Sequence, residues 1–170
     1  MASLVDELVN VLEAEEKMYQ KLIVCGEEKR EALIAADVTA LEKLTAQEQL
    51  TSDDLMSLSN RQLQTLHDVA MVLGMNQETM TVTRLIESLD SQPEAQQKLT
   101  EARDRLIAAA GELKRLNDEN ILLIQQAIEL NEFDLTLFKS LRQAPETANY
   151  DSSACNTGAL LGGSGFDVTS

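Results

Sequence analysis

Tryptophan is absent from this chain, aromatic residues make up only 3% of it, and proline occurs twice. A core of that composition has to be built from Leu, Ile, Val, Ala and Met. Long helices packed side by side can do this, because small aliphatic seams let their axes approach closely, whereas sheet proteins spend more aromatic and β-branched residues. Basic clusters are missing too: 14 Lys and Arg stand against 29 Asp and Glu, for a formal net charge of −15. Nucleic acid and anionic membrane surfaces both call for Lys/Arg clusters that neutralise phosphate, so neither is an expected partner. The acidity serves solubility, or presents an acidic face that keeps a sticky partner soluble.

No run approaches the roughly 20 apolar residues of a membrane span, which predicts no direct membrane insertion. The opening "MASLVDELVN" lacks the basic region and apolar stretch of a signal peptide, so a cytoplasmic protein is expected. Cys25 and Cys155 are too few and too far apart for a metal framework, and neither has a second Cys or His at ligand spacing. Cys25 falls on the apolar side of the first helix, where a thiol behaves as a small inert hydrophobe. The single histidine, His67, has no nucleophile or ligand beside it and reads as packing or surface. The carboxylate pairs Glu15–Glu16, Glu27–Glu28 and Asp53–Asp54 read as solvated helix faces. "GGSG" at Gly162 to Gly165 is not a phosphate loop, since no strand precedes it and no helix with Lys follows. Neither enzymatic activity nor a cofactor or metal is expected.

At 170 residues the chain suffices for one domain with a proper core. From Leu4 the apolar positions Leu8, Val11/Leu12, Met18/Tyr19, Leu22, Cys25 and Leu33 keep a three-and-four spacing, which predicts a helix over about residues 3 to 36. In "EKREALIAADVTALEKLTAQEQ", Asp37 interrupts an otherwise helical run with no Gly or Pro nearby. An Asp can accept hydrogen bonds from the amides of the next turn, so the position reads as a tight break that starts a second helix. That helix continues through Leu41, Leu44, Leu55, Leu58, Leu66, Val69 and Leu73, across the polar "TSDDLMSLS", and stops at Gly74. Met71, Met75 and Met80 around this end read as flexible core filler, with an adaptable binding surface as the alternative.

"NQETMTVTRLIESLD" predicts one short helix with Met80, Leu85, Ile86 and Leu89 on one side. Ser91 and Glu94 form a capping-box pattern ahead of the longest element, with Pro93 in its first turn. Its apolar face runs from Leu99 through Leu106, Leu113, Leu116, Ile121, Ile124, Ile128 and Leu135 to Phe138, and the helix ends near residue 142. Asn117, Asn120 and Asn131 lie on or beside the seam, where polar insertions fix register. The expected fold is all-α: an antiparallel bundle of long coiled-coil-like helices, three long and one short, over residues 1–143. A Gly-, Ser- and Asn-rich segment, 144–170, is expected to be a flexible tail. The last helix is longer than its neighbours, and the surplus is rich in Leu130, Phe133, Leu135, Leu137, Phe138 and Leu141. Two of the chain's three Phe residues are there.

The order and spacing of these elements resemble a known family. "LVDELVNVLEAEEKMYQKLIVCGEEKREALIAADVTALEKLTAQEQ" is similar to the N-terminal half of FlgN-like flagellar export chaperones, with its Leu-rich opening helix and its break at an Asp. "RQLQTLHDVAMVLGMNQETMTVTRLIESL" looks like that family's Leu-spaced helix, "LG" and following short helix. The likeness spans about residues 4 to 142 and is strongest up to about residue 90. It implies a cytoplasmic, non-enzymatic chaperone of flagellar type III export. Such proteins bind hook–filament junction proteins through the C-terminal helix and tail, keep their helical ends from associating early, and deliver them to the membrane-embedded export gate. On this reading Leu130, Phe133, Leu137, Phe138, Leu141, Leu160, Leu161 and Phe166 are the client anchors. A tyrosine beyond the helical domain contributes to the gate contact in the family, and by position Tyr150 is the candidate. The protein alone is expected to be a monomer or weak dimer. The alternative is a structural coiled-coil oligomerisation or spacer protein with no secreted client.

Overall fold

The computed structural model describes residues 2–143. Helix α1 spans Ala2–Ile34, α2 Val38–Leu73, a 3-10 turn Gln77–Thr79, α3 Val82–Ser88 and α4 Pro93–Gln143. There is no strand among the described residues. The chain divides into two compact units, Met1–Ile128 and Glu129–Ser170.

The break between α1 and α2 is built as the Asp predicts, with one addition. Asp37 stands at the N-cap of α2, and its Oδ1 accepts a hydrogen bond from the Ala40 amide at 3.0 Å. Ahead of it, the amides of Ala36 and Asp37 donate to the carbonyls of Leu33 and Ala32, the paired bonds of a Schellman turn. Ala36 therefore takes a left-handed φ of 53° although it is not glycine. The same turn ends α2, where the amides of Gly74 and Met75 bond to Met71 and Ala70. There the left-handed position, φ 65°, is filled by Gly74, which has no Cβ to strain it.

Through "TSDDLMSLS" α2 stays continuous. The Thr51 and Ser57 hydroxyls donate to the carbonyls of Gln47 and Asp53 one turn back, a local use of these side chains that leaves the backbone ladder intact. The segment expected as one short helix is divided instead. Asn76 caps the 3-10 turn, Thr81 caps α3, and Met80 between them is extended. At the start of α4, Pro93 is the first helical residue, so Gln92 and not Ser91 holds the cap position. The Gln96 side chain ties this first turn to the Ile86 carbonyl at 2.9 Å.

In the first unit, α1 and α2 run antiparallel. Glu7 meets Arg61, Glu15 meets Ser59, and Lys29 meets Glu48. The part of α4 in this unit runs parallel to α1, since Arg105 bonds Glu13 and Glu16 while Asn120 reaches Gly26. The main core lies at one end, where Val5, Leu8 and Leu12 of α1 meet Leu66, Val69 and Ala70 of α2, Leu85 and Leu89 of the α3 region, and Leu99 and Ala102 of α4. Met80 joins it. Met71 and Met75 do not: both are exposed on the outer side of the α2 terminus, so the expectation that all three fill the core holds for Met80 alone.

Two polar groups are built into the helix contacts. Glu15 is only 2% exposed, contrary to its expected place on a solvated face. Ser59 donates to it at 2.9 Å, and burial pushes its carboxyl above the usual range more strongly than that hydrogen bond lowers it. Asn120, 4% exposed, donates through Nδ2 to the Gly26 carbonyl at 2.8 Å, while its Oδ1 has no partner. Gly26 permits this approach: a Cβ there would stand 2.7 Å from Leu116 Cδ2. Cys25, buried nearby, donates its thiol to the Leu44 carbonyl at 3.4 Å, and burial raises its pKa above the ordinary value. A thiol held protonated in this way is a packing group.

Candidate functional site

The candidate client surface belongs to the second unit, whose described part is the stretch of α4 from Glu129 to Gln143. It contains no Gly or Pro, and its residues are mostly good helix formers. Thr136 and Ser140 return their hydroxyls to the carbonyls of Glu132 and Leu137. Arg142 in the last turn complements the negative helix end.

Leu130, Phe133, Leu135, Leu137, Phe138 and Leu141 are all exposed, the two phenylalanines at 64% and 68%. Successive residues turn by about 100° around a helix, so Leu130, Phe133, Leu137 and Leu141 fall within an arc of about 80°. Phe138 and Leu135 lie beyond Leu141 in the same sense, extending the apolar arc to about 200°. The expected anchors on α4 thus do not share one narrow stripe, because Phe138 sides with Leu135. Those two, with Lys139 and Arg142, line a surface concavity. Within the arc stand three polar residues, Asp134, Asn131 and Arg142, all exposed. The rest of the circumference carries Glu129, Glu132, Thr136, Lys139 and Ser140.

Magnitudes show what such a surface can do. Fully burying a Leu or Phe side chain stabilises by about 1.5–3 kcal/mol, so side chains already partly covered have about 1–2 kcal/mol each left to gain. The four along the narrow stripe then supply about 4–8 kcal/mol and all six about 6–12 kcal/mol. Association costs about 4–15 kcal/mol, and the partner's matching apolar surface, buried at the same time, adds to the gain from α4. The expected anchors Leu160, Leu161 and Phe166 and the expected gate residue Tyr150 lie outside the described residues.

A family model described as FlgN protein matches residues 1–157. The chain belongs to the FlgN family. Membership carries a general role as a flagellar export chaperone. No curated protein and no solved structure matches the chain. Among the described residues of this FlgN-family protein no helix is long and apolar enough to cross a membrane, and no group of His, Cys, Asp and Glu is placed to hold a metal ion.

Leu135 and Asp134 were not among the expected anchors of this FlgN-family surface. The signal for them was present: counting residues around the helix past Leu141 leads to Asp134, then Phe138, then Leu135. Spacing along a single stripe hides such a sequence because it follows only one side of the helix.

Proposed function

We propose that this FlgN-family chain is a cytoplasmic chaperone for hook–filament junction proteins. Residues 1–143 act as its helical domain, and the client binds α4 beyond Ala127 together with the tail, 144–170. The exposed apolar arc from Leu130 to Leu141 is the observation that carries this reading. Amphipathic helices dock into apolar surfaces through anchors at helical spacing, and junction-protein ends that are helical and prone to associate suit such a surface. Leu160, Leu161 and Phe166 add further apolar anchors to the client contact. Tyr150 serves the separate contact with the export gate.

Isothermal titration of a purified hook–filament junction protein into the full chain and into a chain truncated after Gln143 tests this. Truncation is expected to weaken binding while leaving helix content and melting nearly unchanged; binding at full strength removes the tail from the reading. Tyr150→Ala is expected to spare client binding and reduce docking at the gate. A structural rod is disfavoured by the unequal helices of 33, 36 and 51 residues and by the break at Asp37, since a rod needs a seam sustained over several heptads. Light scattering on the isolated protein separates the two, because a rod self-assembles tightly whereas this chaperone is a monomer or weak dimer.

A further inference from the structure

A helix that faces one packed surface uses an apolar stripe somewhat over about 100° wide. Between Leu130 and Leu141 the exposed apolar residues of α4 cover about twice that arc. One partner helix can cover Leu130, Phe133, Leu137 and Leu141, but it leaves Leu135 and Phe138 in water. A second copy that pairs α4 with α4 about a two-fold axis covers one stripe in the same way.

We propose that the partner bound here supplies two amphipathic helical segments, packed side by side on α4, and that a Lys or Arg of that partner meets Asp134 at the seam between them. The proposal rests on the chaperone reading and specifies how the client is held. One segment lies over Leu130, Phe133 and Leu137, the other over Leu135 and Phe138, and Leu141 lies near both. Asp134 falls inside the covered arc, so closing both segments over it removes its carboxylate from water. An unpaired carboxylate there would oppose binding, whereas a cation opposite it turns the same residue into a register mark. Asn131 and Arg142, also inside the arc between Phe138 and Leu135, can hydrogen-bond to the second segment.

The test uses the full chain and a purified hook–filament junction protein as the probe. Leu130→Ser/Phe133→Ser alters one side of the arc and Leu135→Ser/Phe138→Ser the other; all four residues are exposed, and circular dichroism checks that helix content is unchanged. Each pair is expected to weaken binding by at least about tenfold. Asp134→Lys is expected to weaken it too, through repulsion of the partner's cation. A photo-crosslinking residue placed at 133 and, separately, at 138 is expected to reach two different segments of the same client molecule. If only the Leu130/Phe133 pair matters, or if both positions reach one client segment, the two-segment arrangement is wrong while the chaperone reading stands. A crosslink from 138 to residues 144–170 of this chain, or to a second copy, overturns it in favour of that occupant. If neither pair alters binding, the chaperone reading of this surface fails as well.

Discussion

Replacing Asn120 by Asp alters one atom type at the closest polar contact between α1 and α4. The wild-type amide donates to the Gly26 carbonyl over 2.8 Å in a site that is 4% exposed. An ionised carboxylate there has no hydrogen to donate and sets negative charge against the carbonyl oxygen, with no cation in hydrogen-bond reach of the site. The lost hydrogen bond is worth about 0.5–1.5 kcal/mol. An uncompensated buried charge brings the total to about 3–5 kcal/mol. For a chain of this size each kcal/mol moves the melting temperature by about 2–4 °C, so Asn120→Asp should melt roughly 6–20 °C lower near neutral pH. The introduced carboxyl can restore the bond once protonated, so its folded-state pKa lies above its unfolded value. Its penalty is then absent below the unfolded pKa and grows as pH rises towards the folded one. Thermal melts followed at 222 nm near pH 5 and pH 8 should show a smaller deficit, relative to wild type, at the lower pH. A variant that melts within about 2 °C of wild type at the higher pH, or a deficit that does not shrink on acidification, refutes this account of Asn120.

Two further substitutions probe neighbouring features. Ala36→Gly removes the Cβ from a left-handed position, which relieves about 1–2 kcal/mol of strain against about 0.4–1 kcal/mol of added unfolded-state entropy. A net gain of up to about 1.6 kcal/mol is expected in urea denaturation, and a loss would show that the turn tolerates Ala36 without strain. Glu15→Gln keeps an acceptor for Ser59 but removes a carboxylate whose burial raises its pKa above 4.5. Because the folded pKa is raised, the wild type loses stability as pH rises from 4.5 through that folded value, so the variant should be the more stable protein at neutral pH and the difference should vanish in acid. Melting curves that stay parallel across this range would mean that the carboxylate is adequately solvated after all.

The helices, their order and most of their ends were legible in the chain. Asp37 and Gly74 are strong because each acts on its own backbone neighbours: an Asp side chain reaches an amide three residues on, and a glycine adopts a left-handed φ without cost. The missed features have a different character. Glu15 follows Leu8 by seven residues and Leu12 by three, so its place on the buried stripe could be counted, but its charge argued for water. Only the facing hydroxyl of Ser59, from a helix 44 residues later, makes that burial tolerable. Met71 and Met75 carry core-like side chains, yet Met71 on the last turn of α2 and Met75 just past its Gly74 cap are both left exposed.

The same distinction holds at the proposed client surface. Composition and periodicity alone determined that the chain is helical, that it has three long helices and a short one, and that apolar residues crowd the end of the last. These properties depend on interactions within a few residues along the chain. The tertiary structure decided which Asn is buried, that Gly26 admits α4 close to α1, and that the anchors from Leu130 to Leu141 remain exposed. Burial is a property of what stands opposite a side chain, and no local pattern specifies its neighbour across the bundle.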